Sequence, residues 1–295
     1  MTSYKKTYQA WKNEPLEFWK EAANEIDWYR ECDSILDDKH APLDQWYKGA
    51  KTNTCYNAID RHVEAGQGDR TALIYDSAMT KCVKKFSYVE MQELISKFAG
   101  VLKDMGVEKG DRVLLYMPMI PEAVVAMLAC ARIGAVHTVV FGGFASNELA
   151  KRIIDADPKV ILSATCGLEP GKVIAYKPLL DEAIEISKSE VKTIIVNRSE
   201  CEAKMINGRD FDWHELMKSA TPTDCVQLAA TDPLYILYTS GTTGTPKGIV
   251  RDNGGHLVAM NWSMKNVYAM NAGDIYWAAS DIGWVVGHSY IVYAP

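Results

Sequence analysis

Short apolar runs alternating with helical periodicity, from about residue 69 to residue 196, constrain this chain more than any other feature. Residues 112–117 (Arg-Val-Leu-Leu-Tyr-Met), 136–140 (Val-His-Thr-Val-Val), 160–163 and 193–196 are strand-like runs of apolar and β-branched residues. Between them the spacing predicts helices over 88–105, 121–132, 147–156 and 178–187. The first of these carries Met91, Leu94, Ile95, Phe98, Val101 and Leu102 at helical intervals. Gly106 is placed to end it, Pro121 opens the second with Gly134 just after, and Asn147 is placed to cap the third. Residues 71–75 and 84–88 read as a pair of short strands. Strands alternating with helices give an α/β class: mainly parallel sheets covered by helices. In such sheets ligands sit beyond the C-terminal ends of the strands, so glycine-containing turns after strands are the places to search.

The flanks read differently. Residues 1–62 hold Trp11, Trp19, Trp28 and Trp46 among acidic residues, with a short helix opening at Pro15. Stacking on nucleic acid would need basic residues between the rings. This segment is therefore expected to wrap a larger body as an N-terminal cap, and residues 63–295 to form that body. Residues 198–232 read as a polar connector with a short helix near 213–218. A strand over 234–238, a helix over 255–270 and a strand over 274–279 complete the pattern.

A formal net charge of −6 and a pI of about 5.6 provide no field for a nucleic acid backbone or an anionic membrane. The seven cysteines include no C-x-x-C pair and imply neither a zinc site nor a disulfide framework. The first residues carry no secretory or transit pattern, and no apolar run approaches a membrane span, so a cytoplasmic protein is expected. The sequence stops at Pro295 inside an apolar pattern, which reads as a piece of a longer chain.

The segment 238–248, Tyr-Thr-Ser-Gly-Thr-Thr-Gly-Thr-Pro-Lys-Gly, follows a predicted strand and precedes a predicted helix. Gly241, Gly244 and Gly248 allow close backbone approach. Thr239, Ser240, Thr242 and Thr243 add hydroxyls, and Lys247 adds a point charge suited to phosphate. The composition makes an anion cradle, although flexible surface turns share it. It is not the common nucleotide P-loop, because Pro246 precedes the lysine and Gly248 follows it. Two further segments follow predicted strands. Phe141-Gly142-Gly143-Phe144 is either a tight turn or a place where backbone meets ligand. Residues 280–290 hold Trp284, Val285, Val286 and His288, which by themselves read as core.

The loop resembles the signature of the AMP-forming acyl-CoA synthetase superfamily: Ser or Thr, Ser-Gly, Ser or Thr, Thr-Gly-x-Pro-Lys-Gly. Every defined position is present from Thr239 to Gly248. The segment 281–290 is similar to the Asp-x-Gly-Trp-x-x-Gly-His-Ser-Tyr of its short-chain branch. The resemblance implies that Lys247 and the loop hold the β- and γ-phosphates of ATP, with Mg2+. It implies that Trp284, Val285 and Val286 wall an acyl pocket, and that Gly142 and Gly143 lie near the coenzyme A phosphates. An indole in that pocket makes it shallow enough to favour a two- or three-carbon acid.

Residues 166–172, Cys-Gly-Leu-Glu-Pro-Gly-Lys, correspond to a further coenzyme A contact. Glu169 and Lys172 stand where acetyl-CoA synthetases usually have two arginines, with Pro170 and Gly171 between them. That form resembles propionyl-CoA synthetases. The resemblance implies ATP, coenzyme A and a small carboxylic acid as partners. The family's later motifs, including its C-terminal adenylation lysine, are not in this sequence. Two other readings stay open: another adenylate-forming ligase, or a module that only binds nucleotide or coenzyme A.

Overall fold

The computed structural model describes residues 3–39, 41–239 and 246–295. The first part supplies α1 (Ser3–Asn13), α2 (Pro15–Ala23), and strands β1 (Ser34–Asp37), β2 (Gln45–Lys48) and β3 (Lys51–Thr52). Next come the hairpin β4 (Thr71–Ser77) and β5 (Cys82–Ser87), α3 (Tyr88–Asp104), β6 (Arg112–Tyr116), α4 (Pro121–Ile133), β7 (Val136–Val139) and α5 (Ser146–Ala156). Then follow β8 (Val160–Ala164), the hairpin β9 (Cys166–Glu169) and β10 (Lys172–Ala175), α6 (Tyr176–Ser187), β11 (Lys192–Val196), β12 (Asp210–Asp212) and α7 (Trp213–Ser219). The chain continues through β13 (Leu228–Ala229), β14 (Pro233–Thr239), β15 (Lys247–Asp252) and α8 (Gly254–Asn266).

Seven strands form the central sheet in the order β12-β11-β8-β6-β7-β14-β15. Every neighbouring pair is parallel except β14–β15. The pleat divides the strand residues between two cores. Val113, Leu115, Leu162 and Ile194 join the side of α3 and α4, whereas Leu114, Tyr116, Ile161 and Ile195 join the side of α5 and α6. Burial on both faces explains why these strands read as continuous apolar runs. Helix α3 begins at a capping box the sequence reading missed: Glu90 N–H donates to Ser87 Oγ, and Ser87 N–H donates to the Glu90 carboxylate.

Four expectations are corrected. Asn147 does not cap α5, because the helix already starts at Ser146 with Ala145 before it. The strand expected over 274–279 does not form. Instead the Asp274 carboxylate accepts from Asn271 N–H in a local turn, and Ile275 and Trp277 stand exposed. The helix expected over 255–270 closes at Asn266, where the amides of Val267 and Tyr268 both donate to Ser263 O. Most consequential for the site, the segment 238–248 does not lead into a helix. It joins β14 to the antiparallel β15, and α8 begins only after Asp252.

The first 60 residues are tied to the body by buried polar groups rather than by their tryptophans alone. Asn53 Nδ2 donates to the carbonyls of Ala131, Arg132 and Val226. Asp60 forms a two-pronged ion pair with Arg132 at 2.7 and 3.0 Å. On the outer side Phe18 and Trp19 of α2 meet Trp262 of α8 edge to face.

Candidate active site

The turn after β7 is clamped from beneath. Phe144 N–H donates to Phe141 O at 3.0 Å, closing the turn. The Tyr116 hydroxyl, at the end of β6, lies within bonding distance of Gly142 O (3.3 Å) and Phe144 O (2.9 Å). The Tyr176 ring stacks on Tyr116 with centroids 4.9 Å apart. A Cβ on Gly142 would stand 2.0 Å from the Tyr176 hydroxyl oxygen, and one on Gly167 would stand 2.8 Å from the same ring. Both glycines are therefore required by one tyrosine, which locks the Gly142–Gly143 turn to the base of the β9–β10 hairpin. The segment from Tyr176 to Asp181 adds to the resemblance carried by the Glu169–Lys172 tip before it, but sequence reading gave Tyr176 itself no role.

The hairpin tip carries the other expected residues. Glu169 pairs with Lys172, and Pro170-Gly171 makes the turn, with Gly171 at φ +70°. All four are exposed, on a hairpin that follows β8 directly in the chain. An open cleft of about 250 Å³ lies between residues 75–79 at the end of β4 and Leu168 of this hairpin, with Pro118, Met119 and Arg198, which follow parallel strands, completing its lining. A cleft of about 300 Å³ on the cap, lined by Trp28, Cys32 and Tyr47 among others, includes none of the expected site residues.

The Trp284 segment reaches the turn after β7. Ile282 N–H lies 3.3 Å from Met119 Sδ, and Gly283 N–H donates to the Asp281 carboxylate at 2.6 Å. A Cβ on Gly283 would lie 2.9 Å from Phe141 Cα, so the two backbones touch. The Phe141 and Trp284 rings are 5.8 Å apart. Trp284, Val285 and Val286 are each about half exposed, at 50%, 45% and 46%. Burial pushes the Asp281 carboxyl above its usual range. The structure thus joins residues expected on the acyl side to those expected on the coenzyme A side.

In the segment expected to hold phosphate, Thr239 and Lys247 pair across β14 and β15. Lys247 and Gly248 are exposed. Ser240, Gly241, Thr242, Thr243 and Gly244 lie outside the described residues. Behind β14 is a group that sequence reasoning did not assemble, although it read His288 as core. His137, His256 and His288 are buried beside Tyr235 and Tyr293. His137 Nε2 and the Tyr293 hydroxyl are 2.5 Å apart, and His288 Nδ1 is 3.1 Å from Trp284 O. Burial holds all three imidazoles in the neutral form, His256 down to about 3 and His288 to about 4.

One metal-compatible grouping exists among the described residues: Cys55, Asp60 and Cys225, with ligand atoms within 4.8 Å of one another. The Asp60 carboxylate is already engaged by Arg132, Gln92 and the Cys225 thiol. The three residues lie too far apart in sequence for any spacing rule to find them. Among the described residues no helix is long and apolar enough to cross a membrane.

The family model for AMP-binding enzymes matches residues 59–295. The chain belongs to the AMP-binding enzyme family. A second model, for the N-terminus of acetyl-coenzyme A synthetase, matches residues 4–58 of this family member. Human acyl-CoA synthetase short-chain family member 3, a mitochondrial protein, is 50% identical over 100% of the chain and 43% of its own length. The propionate–CoA ligase of Escherichia coli is 45% identical over 99% of the chain and 47% of its own length. The acetyl-coenzyme A synthetase of Streptomyces avermitilis is also 45% identical, over 98% of the chain and 44% of its own length. The chain thus spans somewhat less than half the length of these relatives. Among solved structures, an acetoacetyl-CoA synthetase from Streptomyces lividans superposes with a TM-score of 0.86 at 26% identity. That match covers 96% of this AMP-binding enzyme and 44% of the other chain. The mainly parallel α/β fold expected from the sequence is the fold of the matched part of that enzyme.

Proposed function

We propose that this chain carries the phosphate-, acyl- and thiol-side surfaces of an AMP-forming short-chain acyl-CoA synthetase, an acid–thiol ligase acting on propionate or acetate. The observation that carries this reading is the contact of Gly283 and Trp284 with Phe141, beside the C-terminal ends of β6 and β7. That contact gives an acyl group and a thiol one common wall. The carboxylate oxygen attacks the α-phosphorus of ATP, the bond to pyrophosphate breaks, and an acyl-adenylate forms. The sulfur of coenzyme A then attacks the acyl carbon and AMP leaves. Neither step needs a covalent nucleophile from the protein. Catalysis is positioning and charge stabilisation.

In this reading Lys247 supplies charge to the departing phosphates, Gly142 and Gly143 admit the coenzyme A side, and the Glu169–Lys172 tip reaches toward its phosphates. Magnesium is expected to come with the triphosphate and neutralise it. The one metal-compatible grouping among the described residues is built around Arg132 rather than Lys247. The relatives do not choose the acid, since the propionate and acetyl enzymes match equally well. The Glu-Pro-Gly-Lys tip favours propionate. Because the chain spans under half of those relatives, a second reading has weight: alone it binds nucleotide or coenzyme A without turnover.

Exchange of labelled pyrophosphate into ATP separates the two readings. Propionate-dependent exchange by the 295-residue chain would establish activation by the chain alone. Binding of ATP without exchange would assign it the binding role. In either case Lys247→Ala should weaken ATP binding about tenfold or more, since a hydrogen bond to a charged group contributes about 1.5–3 kcal/mol. Unchanged affinity would remove Lys247 from the phosphate site. Trp284→Gly should shift the preferred acid to longer chains, each newly buried methylene being worth about 0.8 kcal/mol. An acid panel scored by binding or exchange checks this. An unshifted preference would take Trp284 out of the acyl wall.

A further inference from the structure

Helix α5 lies between two site segments and touches both through one side chain. Arg152 is only 5% exposed. Its guanidinium carbon is 4.4 Å from the Phe144 ring centroid and 5.7 Å from that of Tyr238. Phe144 closes the glycine turn after β7. Tyr238 stands directly before Thr239, where the phosphate loop leaves β14. Three residues further along α5, the Asp155 carboxylate accepts the Tyr238 hydroxyl.

The cation is itself held in place. Its Nη1 donates to Glu148 O at 2.6 Å and to the Glu148 carboxylate at 3.1 Å. Lys151, and then Arg152, hold that carboxyl below its usual range. A buried cation is costly, and the Glu148 side chain remains 38% exposed. An apolar residue would fill the space at lower cost. What a guanidinium adds is a flat, fixed charge that can meet two rings on separate segments.

We propose that Arg152 is a positioning residue that keys the mouth of the phosphate loop to the glycine turn. A nucleotide seated at one is thereby registered against a thiol substrate at the other. This rests on the reading of those two segments given above. Arg152 acts through Tyr238 and Phe144, and misplacement of reacting groups by even an ångström is costly to transfer chemistry.

The test is amide hydrogen exchange on the 295-residue chain without ligand, joined to titration with MgATP. Arg152→Met should raise exchange about tenfold in peptides covering both 139–146 and 233–239, and leave α3 and α4 unchanged. Arg152→Lys, which keeps the charge but not the plane, should recover part of the protection. MgATP affinity should fall about fivefold in the methionine variant and recover in part in the lysine variant.

Unchanged exchange, a rise in one segment only, or a rise throughout the chain would overturn the proposal. If the unaltered chain takes no ATP, the phosphate reading fails, while the exchange result still decides whether Arg152 keys the two segments. Should Arg152→Met not fold, Phe144→Leu removes a single ring that also meets Phe141 and packs against the core beside α5 and α6, and it keeps an apolar side chain there. It should raise exchange at 236–239, on the far side of Arg152. Unchanged exchange there would equally overturn the proposal.

Discussion

Arg132→Ala should cost the fold about 3–5 kcal/mol, the usual penalty for leaving one partner of a buried ion pair uncompensated. The Arg132 and Asp60 side chains are 4% and 8% exposed, and Arg132 Nε also donates to Thr223 O. The alanine variant would leave the Asp60 carboxylate buried with Gln92 and the Cys225 thiol as its partners. Urea unfolding should show a lower midpoint at an unchanged slope. The double variant Arg132→Met/Asp60→Leu should recover most of the loss, since an apolar pair avoids the desolvation of both charges. By contrast Lys97→Ala, which breaks the exposed pair with Glu93, should stay within about 1 kcal/mol of the unaltered protein. A loss below about 1 kcal/mol for Arg132→Ala would mean that Arg132 and Asp60 do not secure the cap.

This ion pair marks where the sequence stops being legible. β6, β7, β8 and β11 could be read because they are buried on both faces, so their apolar character is independent of register. Two other members of the same sheet could not. β15 is exposed along most of its length, and β12 is three residues long with aspartate at both ends. An edge strand is defined by the neighbour it pairs with, and its own sequence need not show it. The expected strand at 274–279 failed for the complementary reason. Ile275 and Trp277 give apolar alternation, but among the described residues no strand pairs with them.

The site divides along the same line. Its glycine turns were visible, because close backbone approach restricts the residue type. The reasons for them were not. Tyr176 lies 34 residues after Gly142 yet fixes the space around it. Likewise, the composition of segment 238–248 suggested an anion cradle but gave no sign of its exit into a hairpin. A helix N-terminus and a strand can both follow a glycine-rich turn. Asp60 and Arg132 are 72 residues apart, and their pairing is a property of the packed chain alone.

Acid should unfold this protein steeply, beginning just below neutrality. His137, His256 and His288 are buried, and burial lowers all three, to about 3 for His256 and about 4 for His288. They face Tyr235 and Tyr293, and the Arg251 charge further disfavours protonation of His256. In the unfolded chain each titrates near the ordinary value of about 6.5. The stability they contribute is complete above that value. As pH falls through 6.5 the unfolded state binds protons that the folded state refuses, and stability is lost down to the folded-state values. With three such groups the slope should reach about 4 kcal/mol per pH unit between about pH 6 and 5. Asp252 and Asp281 work the other way. Burial raises both, so the folded state takes up their protons first and returns part of the loss. Denaturant midpoints at successive pH values measure the sum, and His256→Leu isolates one share. That variant should flatten the slope by about 1.4 kcal/mol per pH unit. A flat profile from pH 6.5 to 5 would mean that the imidazoles are charged and paired in solution. Buried His288 Nε2 and both ring nitrogens of His256, which have no partner among the described residues, would then have to find acceptors.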